Sequence, residues 1–130
     1  MKPSEVMIGD YLLDRSGFPK KVDEVLDDGV LLGGVYHHMA EMKGIPITPE
    51  ILEKNGMKPF DIDKLTDKGT AKWWHKSGDF FIKQYHFKHQ NFKPTYSFGC
   101  HNHTLIEGIE YVHELQHALK LCKIEKEIQL

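Results

Sequence analysis

Hydrophobic and polar positions follow a period of about two through the first third of the chain, and a helical period appears clearly only near the C-terminus. Val6 to Leu13 ends in the apolar run Tyr11-Leu12-Leu13 after a Gly9-Asp10 turn. From Lys20 to Leu26, Val22, Glu24 and Leu26 fall on one side and Lys21, Asp23 and Val25 on the other, which predicts a strand. Asp27-Asp28-Gly29 predicts a turn, because glycine supplies positive φ without steric cost. Val30 to His37 returns as the partner strand, with a bulge or sharp bend expected at Gly33-Gly34, and one more strand is expected near Met42 to Ile47. Short strands joined by tight turns predict a small, curled, SH3-like β-barrel over residues 1–47.

Residues 48–72 are expected to form a linking helix and a loop. Thr48 can cap, Pro49 suits the first helical position, and Glu50 favours the positive end of the helix dipole. Asn55-Gly56 is a stop signal. Residues 57–72 have little periodicity and are expected to be loop. From Trp73 onward, strands are expected over 79–89, 95–98 and 103–106, with a turn at 91–93. A helix is expected around 110–122, followed by a terminal strand over 127–130. The expected fold class is therefore α+β: an N-terminal barrel, a short linking helix, and a C-terminal antiparallel sheet with one packed helix over 73–130. The two parts are small enough to share one core.

Composition narrows the function classes. Hydrophobic residues make up 40% and charged residues 28%, as in an ordinary globular protein. A net charge of −2 argues against bulk electrostatic binding of nucleic acid. Arg15 is the only arginine, a poor supply for bidentate reading of phosphate or guanine. Cys100 and Cys122 suit a reducing compartment as free thiols. There is no apolar stretch of membrane-span length and no apolar signal core at the start, so a cytoplasmic location is expected.

The sharpest chemical signal is His113-Glu114-Leu115-Gln116-His117, which fits H-E-x-x-H. Two His four apart on a helix can reach one Zn²⁺, with Glu114 as general base to the metal-bound water. Helical periodicity places Tyr111, Val112, Leu115, Ala118, Leu119 and Cys122 on an apolar stripe, with His113 and His117 opposite. A catalytic zinc needs a third protein ligand, and no His follows His117. That ligand would have to come from upstream, from His101, His103 or Cys100. Nine His in the chain also make accidental H-x-x-x-H pairs common.

Two weaker constellations are present. Cys100-His101-Asn102-His103 has metal-ligating residue types, with His101 and His103 on one face of a strand. Between Lys72 and Lys93, lysines alternate with aromatics, and Trp73, Trp74, Lys83, Tyr85 and His86 are the candidates for stacking a nucleotide base while meeting phosphate. The plainer alternative is core packing with homo-oligomer contact.

Three segments also carry a resemblance: Ile8-Gly9-Asp10, the run Ile45-Pro46-Ile47-Thr48-Pro49-Glu50-Ile51-Leu52-Glu53-Lys54-Asn55-Gly56, and the helix Tyr111-Val112-His113-Glu114-Leu115-Gln116-His117-Ala118-Leu119. The chain resembles a group of small uncharacterised proteins of Bacteroides-type gut bacteria, their phages and mobile elements, over nearly its whole length. In that group the helix segment often resembles H-Q-L-Q-N, which implies that the positions of Glu114 and His117 do not serve metal chemistry. The resemblance brings no catalytic residues with it. It implies an accessory role such as counter-defence. Residues and resemblance together predict a non-catalytic, cofactor-free binding protein whose partner is a host protein or a small nucleotide. The alternative is a zinc metallopeptidase.

Overall fold

A computed structural model describes residues 1–59, 64–66, 69–76, 80–87, 95–100 and 103–130, with backbone alone at 59, 64–66, 69–73, 75–76 and 86–87. The fold is α+β, and every strand pairing is antiparallel. The chain divides into two compact units, Met1–Pro46 with Tyr111–Gln116, and Ile47–Glu110 with His117–Leu130.

The first unit holds β1 (Tyr11–Leu13), β2 (Pro19–Val25), β3 (Gly29–Leu32), β4 (Val35–His38) and β5 (Lys43–Gly44), in the order β4-β3-β2-β1-β5. A 3₁₀ turn over Met39–Glu41 separates β4 from β5. β4 and β5 are not paired with each other, so the sheet is not closed by hydrogen bonds. The single strand expected over 30–37 is two strands. Gly33 and Gly34 have φ of 57° and 80°, and Leu32 faces Val35 in register, so the pair forms a two-residue hairpin rather than a bulge. β1 is likewise shorter than the expected run, because Asp10 is used in a turn, where its Oδ2 accepts from the Met7 N–H at 2.7 Å. The core of this unit is Val6, Leu12, Val22, Val30, Leu32, Met39 and Met42, with Val25 packed against it.

The second unit begins with α1 (Pro49–Lys54), built as its sequence dictates. Thr48 Oγ1 accepts from Ile51 N–H at 3.3 Å. At the other end, Gly56 (φ 81°) and Met57 donate to the carbonyls of Glu53 and Leu52, a Schellman closure that needs the left-handed glycine. The expected loop over 57–72 instead contributes strands β6 (Lys58–Pro59), β7 (Lys64–Thr66) and the start of β8 (Gly69–Lys76). Cross-strand partners decided this, not local propensity. With β9 (Phe80–Phe87), β10 (Thr95–Cys100) and β11 (His103–Ile109), they make a six-stranded sheet ordered β11-β10-β9-β8-β6, with β7 also on β8. The expected turn at 91–93 lies outside the described residues. Trp74, Phe80, Ile82, Tyr96 and Phe98 are buried, and the Phe80 and Phe98 rings stack at 5.5 Å.

The helix near the C-terminus is α2 (Val112–Leu121). No strand forms over 127–130. Buried Asn55 takes the place of a partner strand: its Nδ2 donates to Gln129 O at 2.8 Å, and its Oδ1 accepts from Gln129 N–H at 2.7 Å. One side-chain amide thus satisfies both backbone groups of Gln129, and no further strand is needed. Among the described residues, no helix is long and apolar enough to cross a membrane.

Candidate functional site

The start of α2 shows what H-E-x-x-H does in this fold. Tyr111 precedes the helix, and Glu114 is its third helical residue. Glu114 Oε1 accepts from the Tyr111 backbone N–H at 3.1 Å, the returning half of a capping box. That contact ties the carboxylate to the first turn, where the helix dipole also favours negative charge. Two residues on, Gln116 Oε1 accepts from Tyr11 N–H at 2.9 Å and Gln116 Nε2 donates to Gly9 O at 3.1 Å. Val112 N–H donates to Ile45 O at 2.8 Å, and Pro46 forms an isolated bridge with Tyr111. Gly44 leaves room for the Tyr111 ring, since a Cβ there would come within 2.7 Å of it.

These bonds join the Gly9–Tyr11 turn, the Gly44–Pro46 strand end and the first turn of α2 within the first unit. They overlap the three segments singled out in the sequence at Gly9, at Ile45-Pro46 and at Tyr111–Gln116. The periodicity placed His113 on a polar face, and this is corrected: His113 is 4% exposed and stacks on the Tyr111 ring at 5.8 Å. The Tyr11 and Ile45 segments are hydrogen-bonded to Gln116 and Val112 of the same helix, a tertiary setting that a single-helix pattern cannot anticipate. His117 lies one turn later and is half-buried.

Two of the other metal candidates, Cys100 and His103, face each other across β10 and β11. His103 is exposed at the start of β11, opposite Cys100 in register. His101 lies outside the described residues. Among the described residues, no group of three or more His, Cys, Asp or Glu side chains is placed to hold a metal ion.

Of the Lys–aromatic candidates, Trp74 lies on one face of the second sheet and Lys83 and Tyr85 on the other, while the side chains at 73 and 86 lie outside what the structure describes. Trp74 is 1% exposed, and its indole N–H donates to Gln84 Oε1 at 2.9 Å, so this ring belongs to the core face. Position 86 has the same strand parity as Ile82 and Gln84. Lys83 and Tyr85 alternate to the opposite face, and position 73 is the register partner of Lys83. There the Lys83 ammonium lies 4.7 Å from the centre of the Tyr85 ring. Phe81, also half-buried, continues the row, and its ring covers Gly99, where a Cβ would run into that ring and into the His103 carbonyl. The row Phe81–Lys83–Tyr85 presents two aromatic rings and a cation at strand spacing.

Three placements stand outside the predicted site residues. Gln116 sits at an unspecified position of H-E-x-x-H, so the motif drew attention away from it. Phe81 carried a signal, since it has the parity of Lys83 and Tyr85. The Cys100–Cys122 pairing carried none, because the sequence separation hides a 3.7 Å approach. Tyr96 is also titratable here, but burial, with the Glu50 charge adding, pushes its hydroxyl up to about 12, so it stays protonated near neutrality.

Comparison of the chain with protein-family models, with curated proteins and with solved structures gave no match.

Proposed function

We propose that this chain is a non-catalytic accessory binding protein, phage- or mobile-element-encoded, that takes a small nucleotide on the Phe81–Lys83–Tyr85 face of its second sheet. The carrying observation is the ammonium of half-buried Lys83, 4.7 Å from the centre of the Tyr85 ring. A base can stack on an aromatic ring while the neighbouring ammonium meets phosphate. A single positive centre suits a compact nucleotide better than a long polyanion, in keeping with the net charge of −2. The resemblance described above supports the mobile-element context and a role against host defences in the cytoplasm. We further assign the first unit to the SH3-like barrels. Its strand order β4-β3-β2-β1-β5 and the 3₁₀ turn between the last two strands support this.

The test is native mass spectrometry of the protein from host lysate, with calorimetric titration of mono-, di- and cyclic nucleotides. A released nucleotide, and binding weakened at least about tenfold by Lys83→Ala and by Tyr85→Ala, is the expected result; one such contact is worth ~1–3 kcal/mol. No nucleotide bound, together with stoichiometric capture of a host protein, would move the reading to a protein partner.

The zinc metallopeptidase is kept as the rival because His113 and His117 lie on successive turns of one helix. It would need its third ligand from residues such as His101 or His103, and Glu114 would have to leave its cap.

A further inference from the structure

Cys100 ends β10 and Cys122 follows the last residue of α2, and both belong to the second unit. Their Sγ atoms are 3.7 Å apart, both thiols are free, and both are half-buried. That separation is van der Waals contact between two thiols; a disulfide closes it to about 2.05 Å. The backbone on each side is anchored. Cys100 faces His103 in register across the β10–β11 hairpin. Cys122 N–H donates to Ala118 O at 3.2 Å, and a Schellman-type closure follows, with Ile124 N–H on Leu119 O at 2.9 Å. Two thiols brought together from chain positions 22 apart, on two well-held elements, form a dithiol site rather than a lone cysteine.

We propose that Cys100 and Cys122 form a reversible intramolecular disulfide that staples the end of α2 to the β10–β11 hairpin when the surrounding glutathione pool becomes oxidised. In the reduced compartment expected of a free-thiol protein the pair rests as a dithiol. Oxidation runs by thiol–disulfide exchange. Burial, with the Cys100 hydrogen bond adding, pushes the Cys122 thiol up and disfavours its thiolate. In the proposed sequence of steps Cys100 is the attacking thiol. Its thiolate attacks one sulfur of oxidised glutathione, forming a protein–glutathione mixed disulfide and expelling one glutathione thiolate. Cys122 then loses its proton and attacks the Cys100 sulfur. The Cys100–Cys122 bond forms and the second glutathione thiolate leaves. In balance, two protein thiols give up two electrons and two protons, and one glutathione disulfide becomes two glutathione thiols. The close approach makes the second step intramolecular and fast relative to release of the adduct.

The experiment uses the full chain, purified reduced and titrated with oxidised glutathione. Intact mass should fall by two hydrogens with no glutathione retained. Peptide mapping should find a Cys100–Cys122 cross-link, and dithiothreitol should reverse both changes. The closed loop is long enough that the thermal midpoint of the oxidised protein should rise on the order of 10 °C. Cys122→Ser should stop at a stable glutathione adduct on Cys100, since the resolving thiol is gone. Covalent dimers, a persistent adduct on the wild-type chain, or unreacted thiols at ratios that oxidise an exposed peptide dithiol would each overturn the proposal.

Discussion

Replacing Gln116 by Met isolates what the helix motif contributes to folding. The substitution keeps length and volume close to the original and removes both the donor and the acceptor. Two hydrogen bonds are lost, from Tyr11 N–H at 2.9 Å and to Gly9 O at 3.1 Å. Each is worth about 1 kcal/mol net, and a buried backbone group left without a partner costs about 1–3 kcal/mol. Both sites are part-buried, so water recovers some of that cost. The expected loss is about 2–4 kcal/mol. It should appear in urea titration as a lower midpoint at unchanged slope, because the surface exposed on unfolding stays the same. The same variant heated should melt roughly 5–15 °C lower. The zinc reading makes the opposite forecast, because position 116 is unspecified in H-E-x-x-H and a volume-matched change there is neutral. A midpoint within about 0.5 kcal/mol of wild type would refute the clamp and return weight to the metal.

Three further outcomes follow. Glu114→Gln keeps an acceptor for the Tyr111 N–H and loses only the charge near the helix dipole, so it should cost about 0.3–1 kcal/mol; elemental analysis of untagged protein should find no stoichiometric zinc to be lost on acidification, and one zinc per chain removed by His117→Ala would reverse this. Lys123→Gly should stabilise the chain by about 1 kcal/mol in the same urea titration, because Lys123 ends α2 in the left-handed region at φ 57°, which glycine adopts freely. Asp14 accepts from the N–H groups of Phe18 and Ser16 at 3.0 and 2.8 Å, and the Phe18 bond leads in holding its carboxyl below 3.8. Its contribution is therefore complete above about pH 4, the ordinary carboxyl value, and disappears as the pH falls through the lower folded value; NMR titration of Asp14 should give a midpoint below 3.8, and an unshifted midpoint would contradict the turn geometry.

The sequence by itself determined the elements whose signals are local. Thr48-Pro49-Glu50 and Asn55-Gly56 bound α1 because capping and left-handed closure depend only on neighbouring residues. The alternation over 20–26 predicted β2, observed at Pro19–Val25, and the apolar period near the C-terminus predicted α2. Gly33-Gly34 was legible as a change of direction; that it is a hairpin and not a bulge depended on Leu32 finding Val35 across it. Strands β6 and β7 were illegible, since their residues lack alternation and are held by partners on β8. The expected terminal strand over 127–130 is absent, and the amide of Asn55 meets the backbone of Gln129. The candidate site divided the same way. Residue types at Lys83 and Tyr85 were visible, but Trp74 lies on another strand, and only the register Trp74–Ile82 and the burial of both showed which face is core. His113 and Gln116 show the limit most clearly. A helix pattern records which side of one element is apolar, whereas their roles depend on distant backbone at Gly9, Tyr11 and Ile45 that tertiary folding alone brings to the helix.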